Sequence, residues 1–213
     1  MKGHLLQTTH DLWYILGQGG WVMAAIFISG QVGWFLVLER WWYYRKMGGR
    51  QQAFWKRAPV QSEALAQAVR SGLGSKGLFG RVAAAVTEAR GKGRVAMVNN
   101  ARETLQEYVP GLSRHLGTLA ILAGTAPLLG LTGTVAGIMA TFRVITLYGA
   151  GNPSMMAGGI AQALMVTEAG LVVAFPLLIC HDHLQKRADA IEDECVAGAT
   201  RLIRIYAGGD TRA

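Results

Sequence analysis

The stretch GGIAQALMVTEAGLVVAFP, Gly158 to Pro176, places a carboxyl group, Glu168, together with Gln162 and Thr167 inside a run that otherwise favours leaving water. The surrounding segment, residues 155–180, is 26 residues long with Glu168 its single charge. A bilayer core about 30 Å thick takes roughly 20 residues of helix, so this segment can cross with residues to spare. Its ten Leu, Ile, Val and Phe residues contribute about −3 to −6 kcal/mol of insertion free energy, against about 2.5 to 3.5 for one central carboxylate. Alone the helix inserts marginally; it needs protein neighbours or a protonated Glu168. On a helix Gln162, Thr167 and Glu168 point about 100° to 140° apart, so protein or water must lie on several sides. An oligomer enclosing a cavity meets that requirement and a lone three-helix monomer does not.

Two more runs lack charge, 18 residues at 21–38 and 27 residues at 116–142. With 51% hydrophobic and 16% charged residues, the 213-residue chain is too apolar for an ordinary soluble domain. The spacing predicts an all-α membrane protein: an outer segment 1–20, spans at 21–38, 116–142 and 155–180, a helical loop at 39–115, a short outer loop at 143–154, and a helical tail at 181–213. The second and third spans exceed the bilayer and should continue into a helical bundle. Of 21 Lys and Arg residues, 14 lie in 39–115 and five follow Cys180, which puts the loop and the C-terminus in the cytoplasm and the N-terminus outside. The N-terminus shows one Lys and no clear cleavage site, so the first run is expected to be retained as a helix. The loop carries 14 basic against five acidic residues, a charge suited to anionic phospholipid headgroups rather than to nucleic acid.

At the end of the first span, "LERWWYYRK" places Glu39 and Arg40 at the exit from hydrocarbon and Trp41, Trp42, Tyr43 and Tyr44 as an interfacial belt. The loop reads as helices, one with a Ser62 start and a Gly72 stop, all short on bulky apolar residues and therefore dependent on helices that leave the membrane. Gly72 to Gly77 fits G-x-G-x-x-G, but an amphipathic helix precedes it where a nucleotide site needs a strand, and a plain loop is the better reading. The tail repeats Leu184, Ala188, Ile191, Cys195, Ala199, Leu202 and Tyr206 on one face. Cys180 and Cys195 lie about 22 Å apart along one helix and are expected as free thiols. Consecutive residues of "CHDH", Cys180 to His183, turn away from one another, so no metal site and no cofactor is expected there.

The second span, "LGTLAILAGTAPLLGLTGTVAGIMATF", carries Gly130, Gly133 and Gly137, which allow close backbone approach where lipid supplies no hydrophobic push. Its threonines form two stripes, Thr118, Thr125 and Thr132 on one and Thr134 and Thr141 on the other. Each hydroxyl can satisfy itself on the carbonyl one turn back, and only the repeat points to a wet surface. Pro127, like Pro176 in the third span, withholds a backbone N–H in mid-helix and belongs with the packing residues.

The runs "GTAPLLGLTGTVAGIMATF" and "GGIAQALMVTEAGLVVAFPLLI", with "LERWWYYRK" after the first span, resemble the ExbB/TolQ/MotA proton-channel family, with its ExbB and TolQ branches nearest. The resemblance implies a homo-oligomeric, pentameric ring in the bacterial inner membrane. Its second and third helices would surround two copies of an ExbD- or TolR-like partner, each with one transmembrane helix bearing an aspartate. Proton flow would then energise a TonB- or TolA-like periplasmic protein. By the same resemblance Thr134 and Thr167 are the pore threonines, and Gln162 stands where these branches usually place a glutamate. Either Glu168 takes over a titratable role, or the partner's aspartate suffices; the second is preferred, with Glu168 tuning the pore field or subunit packing. Thr141 is grouped with this pathway. The other reading is a membrane scaffold whose polar residues only glue helices. No nucleophile-and-base pair, P-loop or metal quartet appears in the sequence, so an enzyme is not expected.

Overall fold

A computed structural model describes residues 2–47, 62–70, 77–149 and 153–209. Within them the chain is helical and contains no strand. The helices are α1 (Lys2–Met47), α2 (Ser62–Arg70), α3 (Leu78–Glu88), α4 (Arg94–Ser113), α5 (Leu116–Tyr148) and α6 (Pro153–Gly209), with a 3-10 turn at Arg90–Lys92. Three of the described stretches are long and apolar enough to cross a membrane: Gly20–Arg45, Arg94–Tyr148 and Met156–Gly208. Helix α1 is broken at Gly20, whose φ of 64° and ψ of −162° suit a residue without a Cβ. Helix α5 runs six residues past Phe142, so less of the expected outer loop at 143–154 is left outside helix. Of the G-x-G-x-x-G stretch only Gly77 lies within the described residues.

The chain divides into two compact units. The first joins Met1–Leu38 with His115–Asp182. Here α5 and α6 run antiparallel along a seam of small residues. A Cβ at Gly130 would stand 3.1 Å from the Thr167 Cα, one at Gly137 2.9 Å from the Gly159 carbonyl oxygen, and one at Gly170 2.7 Å from the Ala126 carbonyl oxygen. Backbone sits against backbone, so dispersion contacts replace the absent hydrophobic drive. Helix α1 lies parallel to α6, with Gly30 against Val173 and Gly33 against Leu177. Val22, Met23, Ile26 and Val166 form the centre of the packing, flanked by Leu129, Met165, Ala169 and Val173.

The second unit joins Glu39–Arg114 with His183–Ala213. In its helices α2 to α4, Leu65, Val82, Val86 and Met97 are fully buried, while Val95 and Val98 of α4 are exposed. The tail of α6 supplies the rest: Leu184, Ala188, Cys195, Ala199, Leu202 and Tyr206 are buried along the expected face, with Ile191 at its margin. Tyr206 is wholly enclosed, and its hydroxyl lies 3.0 Å from Thr87 Oγ1 while Thr87 also donates to the Ala83 carbonyl oxygen. The Arg90 guanidinium covers the Tyr206 ring at 5.3 Å.

Two outcomes follow from this packing. Gly170→Ala is expected to lower resistance to unfolding in detergent by about 1 to 3 kcal/mol, because a carbonyl on α5 cannot move aside for a methyl group. Gly124→Ala, with nothing within 4 Å of the added methyl, should be neutral; equal behaviour in a denaturation series would contradict the seam. In the second unit, a double-mutant cycle of Thr87→Val and Tyr206→Phe should give a coupling of about 0.5 to 1.5 kcal/mol, and zero coupling would remove that hydrogen bond from the account.

Candidate functional site

The α5–α6 seam has two edges, and α1 closes one of them. Leu129 of α5 and Met165 of α6 face the α1 cluster. Thr134 lies about 140° around α5 from Leu129, and Thr167 about 160° around α6 from Met165. Both threonines therefore stand on the edge that α1 leaves open. The stripe of Thr118, Thr125 and Thr132 lies on the other side of α5, toward α1's edge.

Hydrogen bonding separates these hydroxyls further. Thr125, Thr132, Thr134 and Thr141 donate to carbonyl oxygens of their own helix, at Leu122, Leu128, Leu131 and Gly137. Thr167 does not. Its Oγ1 donates across the seam to the Gly130 carbonyl oxygen at 2.9 Å, a reach that exists because Gly130 has no side chain to hold the helices apart. The Thr134 bond to Leu131 is 2.6 Å. Each threonine hydroxyl has one proton to give and two lone pairs to receive. With both protons engaged on backbone, Thr134 and Thr167 present acceptor oxygen to the open edge, the chemistry that suits water donors, a protonated carboxyl or a cation.

The other expected pathway residues are not gathered with them. Thr141 is buried against Gly159 in the seam itself. Gln162 is half-buried and shares the α6 face of Val166, Ala169 and Val173, which packs on α1; it lies about 140° from Thr167. Glu168 is exposed and points away from both packed helices, between exposed Leu164, Leu171, Val172 and Phe175, with no partner among the described residues. The three polar groups of α6 thus take three environments: a helix face, a carbonyl across the seam, and an open apolar surface. Gly130, Gly133 and Gly137 occupy the seam as packing residues. Pro127 and Pro176 lie within α5 and α6, and Pro127 leaves the Ala123 carbonyl without its helical donor.

At the end of the first span the belt residues divide by helix face. Trp41 and Trp42 are exposed, as an interfacial anchor requires. Arg40, one turn from Tyr44, is buried: it donates from Nη1 to the Gly111 carbonyl oxygen at 3.1 Å, sits 3.8 Å from Glu39 and lies over the Tyr43 ring. Tyr44 donates to the neighbouring Leu112 carbonyl oxygen. Together they tie α1 to the last turn of α4, past Pro110, where carbonyls lack helical donors. Reading Arg40 as an exit charge and Tyr44 as a belt ring misses this clasp, for which the i, i+4 spacing of the two is the available signal. Among the described residues no cluster of three or more His, Cys, Asp or Glu side chains could hold a metal.

The profile of the MotA/TolQ/ExbB proton channel family matches residues 63–196. The chain is 35% identical over 107 residues to the Tol-Pal system protein TolQ of Haemophilus influenzae, covering 50% of this chain and 46% of that protein. It is 37% identical over 91 residues to the biopolymer transport protein ExbB of Aquifex aeolicus, covering 39% of this chain and 62% of that one. Similarity to the ExbB of Salmonella typhimurium extends over 201 residues at 25% identity, 85% of this chain and 80% of that one. The first two of these alignments span about half to three fifths of the relatives' own length. A profile match over 134 residues, from α2 through the glycine seam to the tail of α6, together with three apolar helices of spanning length, makes the chain a member of the MotA/TolQ/ExbB proton channel family.

Proposed function

We propose that the protein is the ring-forming subunit of an ion-driven motor of the bacterial inner membrane, with its N-terminus in the periplasm and its C-terminus in the cytoplasm. Several copies, five by the family resemblance, place their α5–α6 edges around a wet passage. That passage holds the single transmembrane helices of an ExbD- or TolR-like partner bearing an aspartate, and the work passes to a TonB- or TolA-like protein. The reading is of a non-enzymatic transducer. The observation that carries it is the pairing of Thr134 and Thr167 on the one seam edge that α1 leaves open, with their protons spent on backbone and their lone pairs outward. A partner carboxyl in its protonated form can donate to such oxygens, and in its charged form needs the water they retain. One proton crossing 100 mV releases about 2.3 kcal/mol. Thr134 and Thr167 provide the passage, while the titrating group is the partner's.

The cross-seam bond of Thr167 to Gly130 also favours a second reading, in which the polar residues serve packing alone. Voltage-driven proton uptake into vesicles holding the chain and its co-purifying single-span partner separates the two. Thr134→Val with Thr167→Val should abolish uptake while the complex still assembles, and Thr167→Ser, which keeps the hydroxyl, should retain it. Uptake that survives the double valine variant supports the scaffold. Glu168→Gln should slow uptake by less than about tenfold, a barrier change under about 1.4 kcal/mol; complete loss would move the essential proton onto this chain.

A further inference from the structure

The second unit contains a cavity of about 420 Å³ between Trp41, Tyr44 and Arg45 of α1 and His183, Arg187 and Glu194 of α6, with Leu184 and Ile191 among its apolar wall residues. Two guanidinium groups and an imidazole share it with a single carboxylate, so its charge favours an anion. The Arg45 guanidinium is held over the Trp41 ring at 5.2 Å, a contact that orients the cation without neutralising it. Arginine forks match the oxygens of a phosphate group two at a time.

Depth identifies the kind of phosphate. The apolar run of α1 ends at Leu38 and that of α6 at Cys180. Trp41 and His183 each follow three residues later, and Arg45 and Arg187 each follow seven later. At 1.5 Å per residue these pairs stand about 4 Å and about 10 Å beyond the hydrocarbon edge, and long arginine side chains can reach back toward it. The polar layer of a bilayer extends about 5 to 7.5 Å beyond the hydrocarbon on each side, so the first level lies within it and the second lies just past it, within reach of the two arginine side chains. Exposed Trp41 and Trp42 carry the side chains that favour such a boundary. Both helices thus deliver one aromatic or imidazole ring and one guanidinium to the same two levels.

We propose that this cavity binds the phosphodiester headgroup of an anionic glycerophospholipid of the inner leaflet, with Arg45 and Arg187 gripping the phosphate and Trp41 and His183 flanking its glycerol. The proposal rests on the chain spanning the membrane and not on the motor reading, so either can fail without the other. The same phosphate chemistry could be met by a free anion, and the test distinguishes the two sources. The full chain in its native complex is placed in nanodiscs of phosphatidylcholine with phosphatidylglycerol, delipidated in steps, and its retained lipids counted by native mass spectrometry. Wild-type protein should keep phosphatidylglycerol in preference to phosphatidylcholine, and millimolar inorganic phosphate should not displace it. Arg45→Gln with Arg187→Gln should reduce the retained phosphatidylglycerol roughly thirtyfold. Arg45→Lys with Arg187→Lys, which keeps the charge, should fall between. Arg102→Gln, in a separate groove between α4 and the α6 tail, should leave retention unchanged. Equal retention of the two lipids, displacement by free phosphate, unchanged retention in the double glutamine variant, or an equal loss in Arg102→Gln would each overturn the proposal.

Discussion

The close approach of α5 to α6 is the constraint on which the membrane unit depends. Lipid tails are as apolar as leucine, so two helices gain nothing by hiding leucines from them and must gain by touching. Gly130, Gly133, Gly137, Gly159 and Gly170 bring the backbones into that contact. The same closeness lets a single threonine, Thr167, reach a carbonyl on the facing helix. It also sets which surfaces remain: α1 fills one edge of the seam through Val22, Met23 and Ile26, and the other edge keeps two hydroxyl oxygens beside exposed leucine and isoleucine side chains. Chemistry at this edge is therefore a consequence of packing, since a larger residue at Gly130 would separate Thr167 from its carbonyl and change what the hydroxyl presents.

The second unit solves a different problem. Alanine-rich α2 and α3 offer little to bury, and the apolar stripe from Leu184 to Tyr206 provides what they lack. Tyr206 is the largest side chain in that stripe to be wholly enclosed, and it brings a hydroxyl that must be satisfied; Thr87 does so. The ends of α1 and α4 are joined by Arg40 and Tyr44, both donating to carbonyls that the end of a helix leaves over. Burying an arginine in this way is tolerated because Nη1 meets a carbonyl oxygen, the Glu39 carboxylate stands 3.8 Å from Nη2 and the flat face meets the Tyr43 ring.

Much of this was legible in the sequence because hydrophobic length and glycine spacing are one-dimensional signals. The three spans, the continuation of α6 through its apolar stripe and the packing role of Gly130, Gly133 and Gly137 all follow from such patterns. The divergence of Gln162, Thr167 and Glu168 came from helical geometry alone, and the structure assigns each to a separate surface. What the sequence did not disclose depends on neighbours. Thr141 was grouped with Thr134 by its seven-residue step, yet Gly159 lies over it. Thr167 is a pore hydroxyl by resemblance alone, and only the position of Gly130 shows that its proton goes to a carbonyl on the facing helix. Arg40 was read as an interfacial charge, although burial against the end of α4 gives it a structural bond.

Hydration of the open edge is the most direct measure of the proposed ring arrangement, and it needs no substitution. Water-edited solid-state NMR on threonine-labelled protein, in bilayers with its partner, reports whether each hydroxyl lies near water or near acyl chains. Rapid transfer from water to Thr134 and Thr167, with slower transfer to Thr141 in the closed seam, is the expected result. Transfer to Thr134 and Thr167 from acyl chains, with none from water, would contradict a passage lined by these two residues.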